Sequence, residues 1–155
     1  MRTFESVAEL EAIVGRDVIV GDWIEIDQER VNRFAEATDD RQWIHVDPER
    51  ARQGPFGAPI AHGFLTLSLL PHLMSQTIEI RNTVMGVNYG LNKVRFPSPV
   101  PVGSRLRPHL RLLSLEHLPP QLGRPGAQLV WEVTIEREGG DKPVCVAESV
   151  TRRYG

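Results

Sequence analysis

The sequence predicts an α+β fold in which an antiparallel sheet wraps a central helix, and three observations carry that expectation. One stretch near the middle, Gly63 to about Glu79, is the most apolar in the chain. Four β-patterned runs follow it, at roughly 83–96, 104–117, 126–138 and 142–153, separated by Pro- and Gly-rich turns. A chain of 155 residues with 41% hydrophobic and 25% charged residues is ordinary for a globular protein, so one domain spanning 1–155 is expected.

The elements can be justified in order. Residues 5–14 can form a short helix, and Asp22-Trp23-Ile24-Glu25-Ile26-Asp27 alternates as a half-buried strand would. Asp27 is then a candidate N-cap for a helix that places Val31, Phe34 and Ala35 on one face and runs to about Thr38. The segment from Asp39 to Val46 is too polar and aperiodic for a buried element and reads as a loop. Asp47 as N-cap with Pro48 at the first helical position starts a shorter helix, and Gly54, Pro55, Gly57 and Pro59 make another loop.

In the apolar stretch, Phe64, Leu65, Leu67, Leu69, Leu70, Leu73, Met74 and Ile78 cover most of a helix circumference, which predicts burial on nearly all sides. Pro71 removes one hydrogen bond and crowds the Leu67 carbonyl, so a kink or break is expected there. Ala127, Leu129, Trp131, Val133 and Ile135 alternate with polar residues and make the clearest strand. Asn88 and Asn92 flank Gly90 where the apolar parity switches, which predicts a bulge. The end strands of such a sheet leave unpaired backbone groups, which a homodimer continuing the sheet would cover.

Charge narrows the function classes. Eighteen Lys+Arg against twenty Asp+Glu give a net charge of −2, no field for attracting nucleic acid or an anionic membrane. The N-terminus lacks the basic start and apolar run of a signal peptide, and no run approaches ~18 apolar residues, so a cytoplasmic protein is expected. The single cysteine, Cys145, lies in the run Val144-Cys145-Val146-Ala147 and reads as a buried, inert thiol.

Two features can carry chemistry. Asp40 and His45 lie five residues apart at the exit of a helix, where a carboxylate and a neutral imidazole can hold one water, accept its proton and aim its lone pair. The same residues serve equally as a helix-end carboxylate and a surface imidazole. Ala61-His62-Gly63 opens the apolar helix, where the Gly63 N–H would be unpaired at the positive end of the helix dipole and open to close approach. It can act as an oxyanion donor, or Gly63 can simply permit a tight turn. Arg105, Arg107, His109 and Arg111 form a stripe that is either phosphate-binding or solvated. His72 and Arg152-Arg153 read as surface or packing residues.

The run Thr38-Asp39-Asp40-Arg41-Gln42-Trp43-Ile44-His45, followed by Asp47-Pro48, Ala51 and Pro59-Ile60-Ala61-His62-Gly63-Phe64-Leu65, resembles the MaoC-like (R)-specific enoyl-CoA hydratases of the hotdog fold. The similarity is closest to the nodulation protein N type, and Arg95 to Val100 with Val102-Gly103 extends it past the helix. The resemblance implies reversible syn addition of water to a trans-2-enoyl-CoA, giving an (R)-3-hydroxyacyl-CoA, without metal or redox cofactor. It assigns Asp40 as base, His45 as the group that holds and polarises the water, and the Gly63 N–H as donor to the thioester oxygen. It also implies a place for Gln42 in holding the loop, His45 or the substrate.

Asp39 stands where the family has Gly, Gln42 where it has Asn, and Trp43 where it has Pro, a larger residue able to reshape the acyl pocket. Two other functions use the same fold. A hotdog thioesterase would direct water at the thioester carbon, and a non-catalytic subunit would bind acyl-CoA without turning it over. The pairing of Asp40 and His45 with a downstream His-Gly favours the hydratase.

Overall fold

The computed structural model describes all residues 1–155. In chain order the elements are β1 (Arg2–Phe4), a 3-10 helix (Val7–Ile13), β2 (Ile19–Val20), β3 (Ile24–Glu25), α1 (Gln28–Thr38), α2 (Trp43–Val46) and α3 (Pro48–Arg52). They continue with α4 (Gly63–Ser68), α5 (Leu70–Thr77), β4 (Ile78–Ile80), β5 (Met85–Arg95), β6 (Arg105–Gln121), β7 (Arg124–Arg137) and β8 (Cys145–Tyr154). The main sheet runs β2-β6-β7-β8-β5, with β3 also on β6, and every pair in it is antiparallel. β1 and β4 form a separate parallel pair that the sequence patterns did not predict.

Strand periodicity dictates which face of the sheet is buried. Leu129, Trp131, Val133 and Ile135 of β7 join Leu106, Leu110 and Leu112 of β6 in one core with Leu65, Leu69, Leu70, Leu73 and Met74 from the helices. The α+β reading with an antiparallel sheet against helices is therefore correct.

The central helix is not one long helix. It breaks at Leu69, and Pro71 falls in the first turn of α5, where its missing N–H has no partner to lose. Nor is it buried all round: Phe64 is 67% exposed and meets the Phe96 ring edge-on at 6.2 Å. The chain turns into β4 at Ile78, so the helical stretch ends before Glu79.

Other expectations shift at their edges. Residues 22–27 contribute only the two-residue β3, and the N-terminal helix is 3-10 rather than α. β6 extends to Gln121 through Pro119 and Pro120, where the ladder skips register and needs no N–H from either proline. The bulge around Gly90 is present, with register shifts between Asn88 and Gly90 and again between Leu91 and Val94.

Candidate active site

The acid and the imidazole are delivered by one turn of chain. Asp27 caps α1, accepting the Arg30 N–H at 2.8 Å, and α1 ends after Thr38. Asp39 is the C-cap in the left-handed region, φ 60°, a conformation that suits glycine first and Asp or Asn next. This explains why an Asp can replace a glycine here. Its carboxylate turns outward to Arg41 at 2.6 Å, and Arg41 also grips Glu36. Asp40, the next residue, is left partly buried on the inner side.

The segment read as a loop contains the helical turn α2, and His45 within it is only 6% exposed. The Gln42 carbonyl accepts the His45 N–H at 3.0 Å and the Val46 N–H at 3.3 Å. The Gln42 side chain is exposed and caps nothing, so it is the main chain of Gln42, not its amide, that holds His45 here. Trp43 packs against Gly54 and under the Arg50 guanidinium, 4.4 Å from the ring centre, on the α3 side.

His45 Nδ1 lies 2.6 Å from the Ile60 carbonyl oxygen. A carbonyl only accepts, so Nδ1 carries the proton and Nε2 is the acceptor of the neutral ring. Burial, offset in part by the Ile60 bond, holds the His45 pKa below its ordinary value, which keeps that acceptor unprotonated at neutral pH. The Gln28 side-chain amide donates to the His45 carbonyl at 2.8 Å and ties the turn back to α1.

His62 is a member of the cluster that sequence reasoning named only as part of a pair with Gly63. Its Nε2–H donates to the Asp40 carbonyl at 2.9 Å, its ring stacks on His45 at 3.8 Å, and Phe34 lies on it at 4.8 Å. It is 3% exposed, and its Nδ1 is buried without a partner. No spacing rule links residues 22 apart, so only the position of His62 directly before the helix pointed to it. Asp40, His45 and His62 bring ligand atoms within 4.8 Å of one another. Two imidazoles and a carboxylate are also a donor set that suits a transition-metal ion.

Gly63 opens α4, and its N–H makes no hydrogen bond within the chain. A Cβ on it would lie 3.1 Å from the Phe96 ring and crowd it, so glycine serves here for space rather than for its backbone angles. A free donor at a helix start, on the residue that follows His62 of this cluster, is of the kind that can bind a developing oxyanion.

A cavity of about 690 Å³ lies between the apolar helices and strands β5 and β8, lined by Leu67, Leu70, Met74 and Thr151 among others. It contains none of Asp40, His45 or His62, so it is a space beside α4 rather than the reacting centre. The cationic stripe on β6 is already neutralised: Arg105 pairs with Glu138, Arg107 and His109 with Glu136, and Arg111 with Glu132. These pairs leave the phosphate-binding reading without a free cation. No helix is long and apolar enough to cross a membrane.

Comparison with known proteins gives a consistent result. Residues 9–114 match the family model described as a MaoC like domain. The chain is 56% identical over 152 residues to the 3-hydroxyacyl-thioester dehydratase Z of Mycobacterium tuberculosis, covering 98% of each. It is 43% identical to nodulation protein N of Rhizobium leguminosarum bv. viciae, covering 94% of this chain and 89% of that one. The solved MaoC-like dehydratase from Rhodospirillum rubrum superposes with a TM-score of 0.68 at 20% identity, covering 94% and 95% of the two chains.

Proposed function

The chain belongs to the MaoC-like family, and from that premise we propose that it is an (R)-specific enoyl-CoA hydratase, equally a 3-hydroxyacyl-thioester dehydratase in the reverse direction. The observation that carries this reading is the buried His45 ring. Its Nδ1–H is committed to Ile60, which leaves Nε2 as the ring's acceptor, and His45 and the Asp40 carboxylate bring ligand atoms within 4.8 Å of each other. The name of the mycobacterial relative, close over 98% of both chains, supports the same reaction class.

Asp40 takes a proton from a water held by His45, and the water oxygen bonds to the β-carbon of the enoyl thioester. The electron pair of the carbon–carbon double bond moves toward the thioester carbonyl, whose developing oxyanion accepts the Gly63 N–H. The enolate then takes the proton back from Asp40 at its α-carbon, which places both additions on one face. Water is the only co-reactant, and the balance needs no oxidant or reductant. Gln42 contributes through its carbonyl, which holds His45 in place.

The functional unit we propose is one domain, 1–155, paired with a second copy. β5 supports that pairing: it is an 11-residue edge strand with no strand on its outer side.

The test is hydration of crotonyl-CoA by the purified protein. Loss of enoyl-thioester absorbance without release of thiol is expected, and Asp40→Asn or His45→Ala should each lower the rate on the order of 10²-fold or more. Thiol release would replace this reading by a thioesterase. Neither signal at any chain length would leave a binding subunit.

A further inference from the structure

Arg153 is the one side chain in the cavity beside α4 whose charge nothing balances. It lies toward the end of β8, between the main cavity and a smaller one lined by Asn82 and Thr83. It enters none of the twelve ion pairs of the chain, and its Nε is buried without a hydrogen-bond partner. Burial alone lowers its pKa, the mark of a guanidinium short of solvent and of an anion. Room has been made for it: a Cβ on Gly86, its cross-strand neighbour, would sit 2.3 Å from Arg153 Nη1.

A second orphan lies two residues away on the same face of the strand. Thr151 is 6% exposed, lines the cavity, and its Oγ1 is buried with no partner. A buried hydroxyl and a buried guanidinium N–H, both unpaired and both on the wall of one cavity, are two donors lacking the same acceptor.

The opposite wall decides what kind of molecule brings that acceptor. Leu67, Leu70, Met74 and Ile78 face across from β8, so the space between is hydrocarbon on one side and ends in a cation on the other. The distance also fits a chain. Phe96, against Gly63, follows directly on β5, where Val94 pairs with Ala147 of β8; from Ala147 to Arg153 is six strand residues, roughly 20 Å at about 3.3 Å each. The neighbourhood of Gly63 and the Arg153 guanidinium therefore lie toward opposite ends of β8, with Ser149 and Thr151 between them on its cavity side and the apolar helix residues facing them.

We infer that Arg153 and Thr151 form an anion subsite in this cavity, and that the ligand class it takes is a long hydrocarbon chain ending in a carboxylate. Two sources share this chemistry: an acyl thioester whose far end is an acid, and a free fatty acid. The first deepens the hydratase reading and rests on it; the carboxylate site itself does not.

The experiment measures binding by calorimetry, below the micellar range, of dodecanoate and of 1-dodecanol to the full-length protein. At least a tenfold preference for the acid is expected, abolished in Arg153→Met, weakened in Thr151→Val and largely kept in Arg153→Lys. Equal binding of acid and alcohol by the native protein, or a preference that survives Arg153→Met, overturns the inference. Should Arg153→Met fail to fold, the native acid-to-alcohol ratio and Arg153→Lys still decide it.

Asp40→Asn should keep the preference, because binding needs no turnover. A standing preference with no hydration of any thioester would remove the hydratase reading alone, and hydration of crotonyl-CoA without a preference would remove this inference alone. Faster turnover of an enoyl thioester bearing a terminal carboxylate than of its methyl-ended counterpart, with the ratio lost in Arg153→Met, assigns the site to substrate. Inhibition of crotonyl-CoA hydration by dodecanoate without that ratio assigns it to a free fatty acid.

Discussion

Replacing His62 by Phe separates positioning from packing at the candidate site. The ring of His62 is 3% exposed and sandwiched between His45 at 3.8 Å and Phe34 at 4.8 Å, and a phenyl ring fills nearly the same volume with the same stacking. What disappears is the 2.9 Å bond from Nε2–H to the Asp40 carbonyl. A net hydrogen bond contributes about 0.5–1.5 kcal/mol, and a carbonyl near the surface can turn to water instead. The substitution also deletes Nδ1, a buried nitrogen with no partner, and removing such an orphan offsets a loss of similar size. Stability should therefore change by no more than about 1 kcal/mol. The rate should not be spared: the Asp40 main chain loses its anchor, and a displacement of about 1 Å in a reacting group can cost on the order of 10²-fold. We expect kcat on crotonyl-CoA to fall at least tenfold with KM little changed, while the urea midpoint stays near that of the native protein. His62→Gln, which keeps an N–H donor, should recover part of the loss. Native kcat in His62→Phe would refute the positioning role. A stability loss above about 3 kcal/mol would show that the residue serves packing instead.

Other outcomes follow from the same geometry. Because burial holds the His45 pKa below 6.5, the unfolded chain takes up a proton that the folded chain refuses; stability should be full above pH 6.5 and decline as pH falls below it, and His45→Gln should flatten that slope in urea titrations from pH 7 to 5. Hydration should lose activity on the acid side only below about pH 6.5 for the same reason, read from kcat/KM against pH. Gly63→Ala puts a methyl 3.1 Å from the Phe96 ring and should slow hydration about tenfold through the amide it displaces, with Phe96→Ala restoring much of the loss in the double variant. Cys145, fully buried with its thiol pushed up to about 11, should resist a disulfide reagent at pH 8 until the protein is unfolded in urea.

What the sequence made legible was whatever rests on local periodicity or on a cap. The alternation from Ala127 to Ile135, the N-caps Asp27 and Asp47, and the interruption near Pro71 all depend on neighbours within a few residues. Features decided by distant partners were missed. β1 exists because Phe4 is buried beside Ile80, 76 residues away in sequence, and three residues carry no pattern of their own. Burial of His45 inside a polar segment depends on Ile60, and the cavity lined by residues of α4, α5, β5 and β8 could not be read from an apolar run whose pattern predicts contact on all sides. Arg153 had no distinguishing sequence signal, since a guanidinium at a strand end is ordinary until its surroundings show that it lacks an anion.

The candidate site is a joint between two stretches of chain, so neither motif alone makes it. Asp40 and His45 belong to one stretch, Ile60 to Gly63 to the other, and two imidazole–carbonyl bonds cross between them in opposite directions: His45 to Ile60, and His62 back to Asp40. Each bond spends one nitrogen of its ring on the main chain and leaves the other nitrogen unpaired, so the bonds that assemble the joint also set which face of each ring can do chemistry. The left-handed turn at Asp39 is what makes the joint possible, because it swings Asp40 inward while Asp39 itself is held outside by Arg41. A glycine would make the same turn without a charge. With Asp, the turn carries a second carboxylate next to the first, and Arg41 sits between Asp39 and Glu36 and pairs with both. Arg41→Ala should therefore disturb the Asp40–His45 pair through Asp39, and Asp39→Gly in the same chain should cancel that effect, an outcome that two independent surface residues would not give.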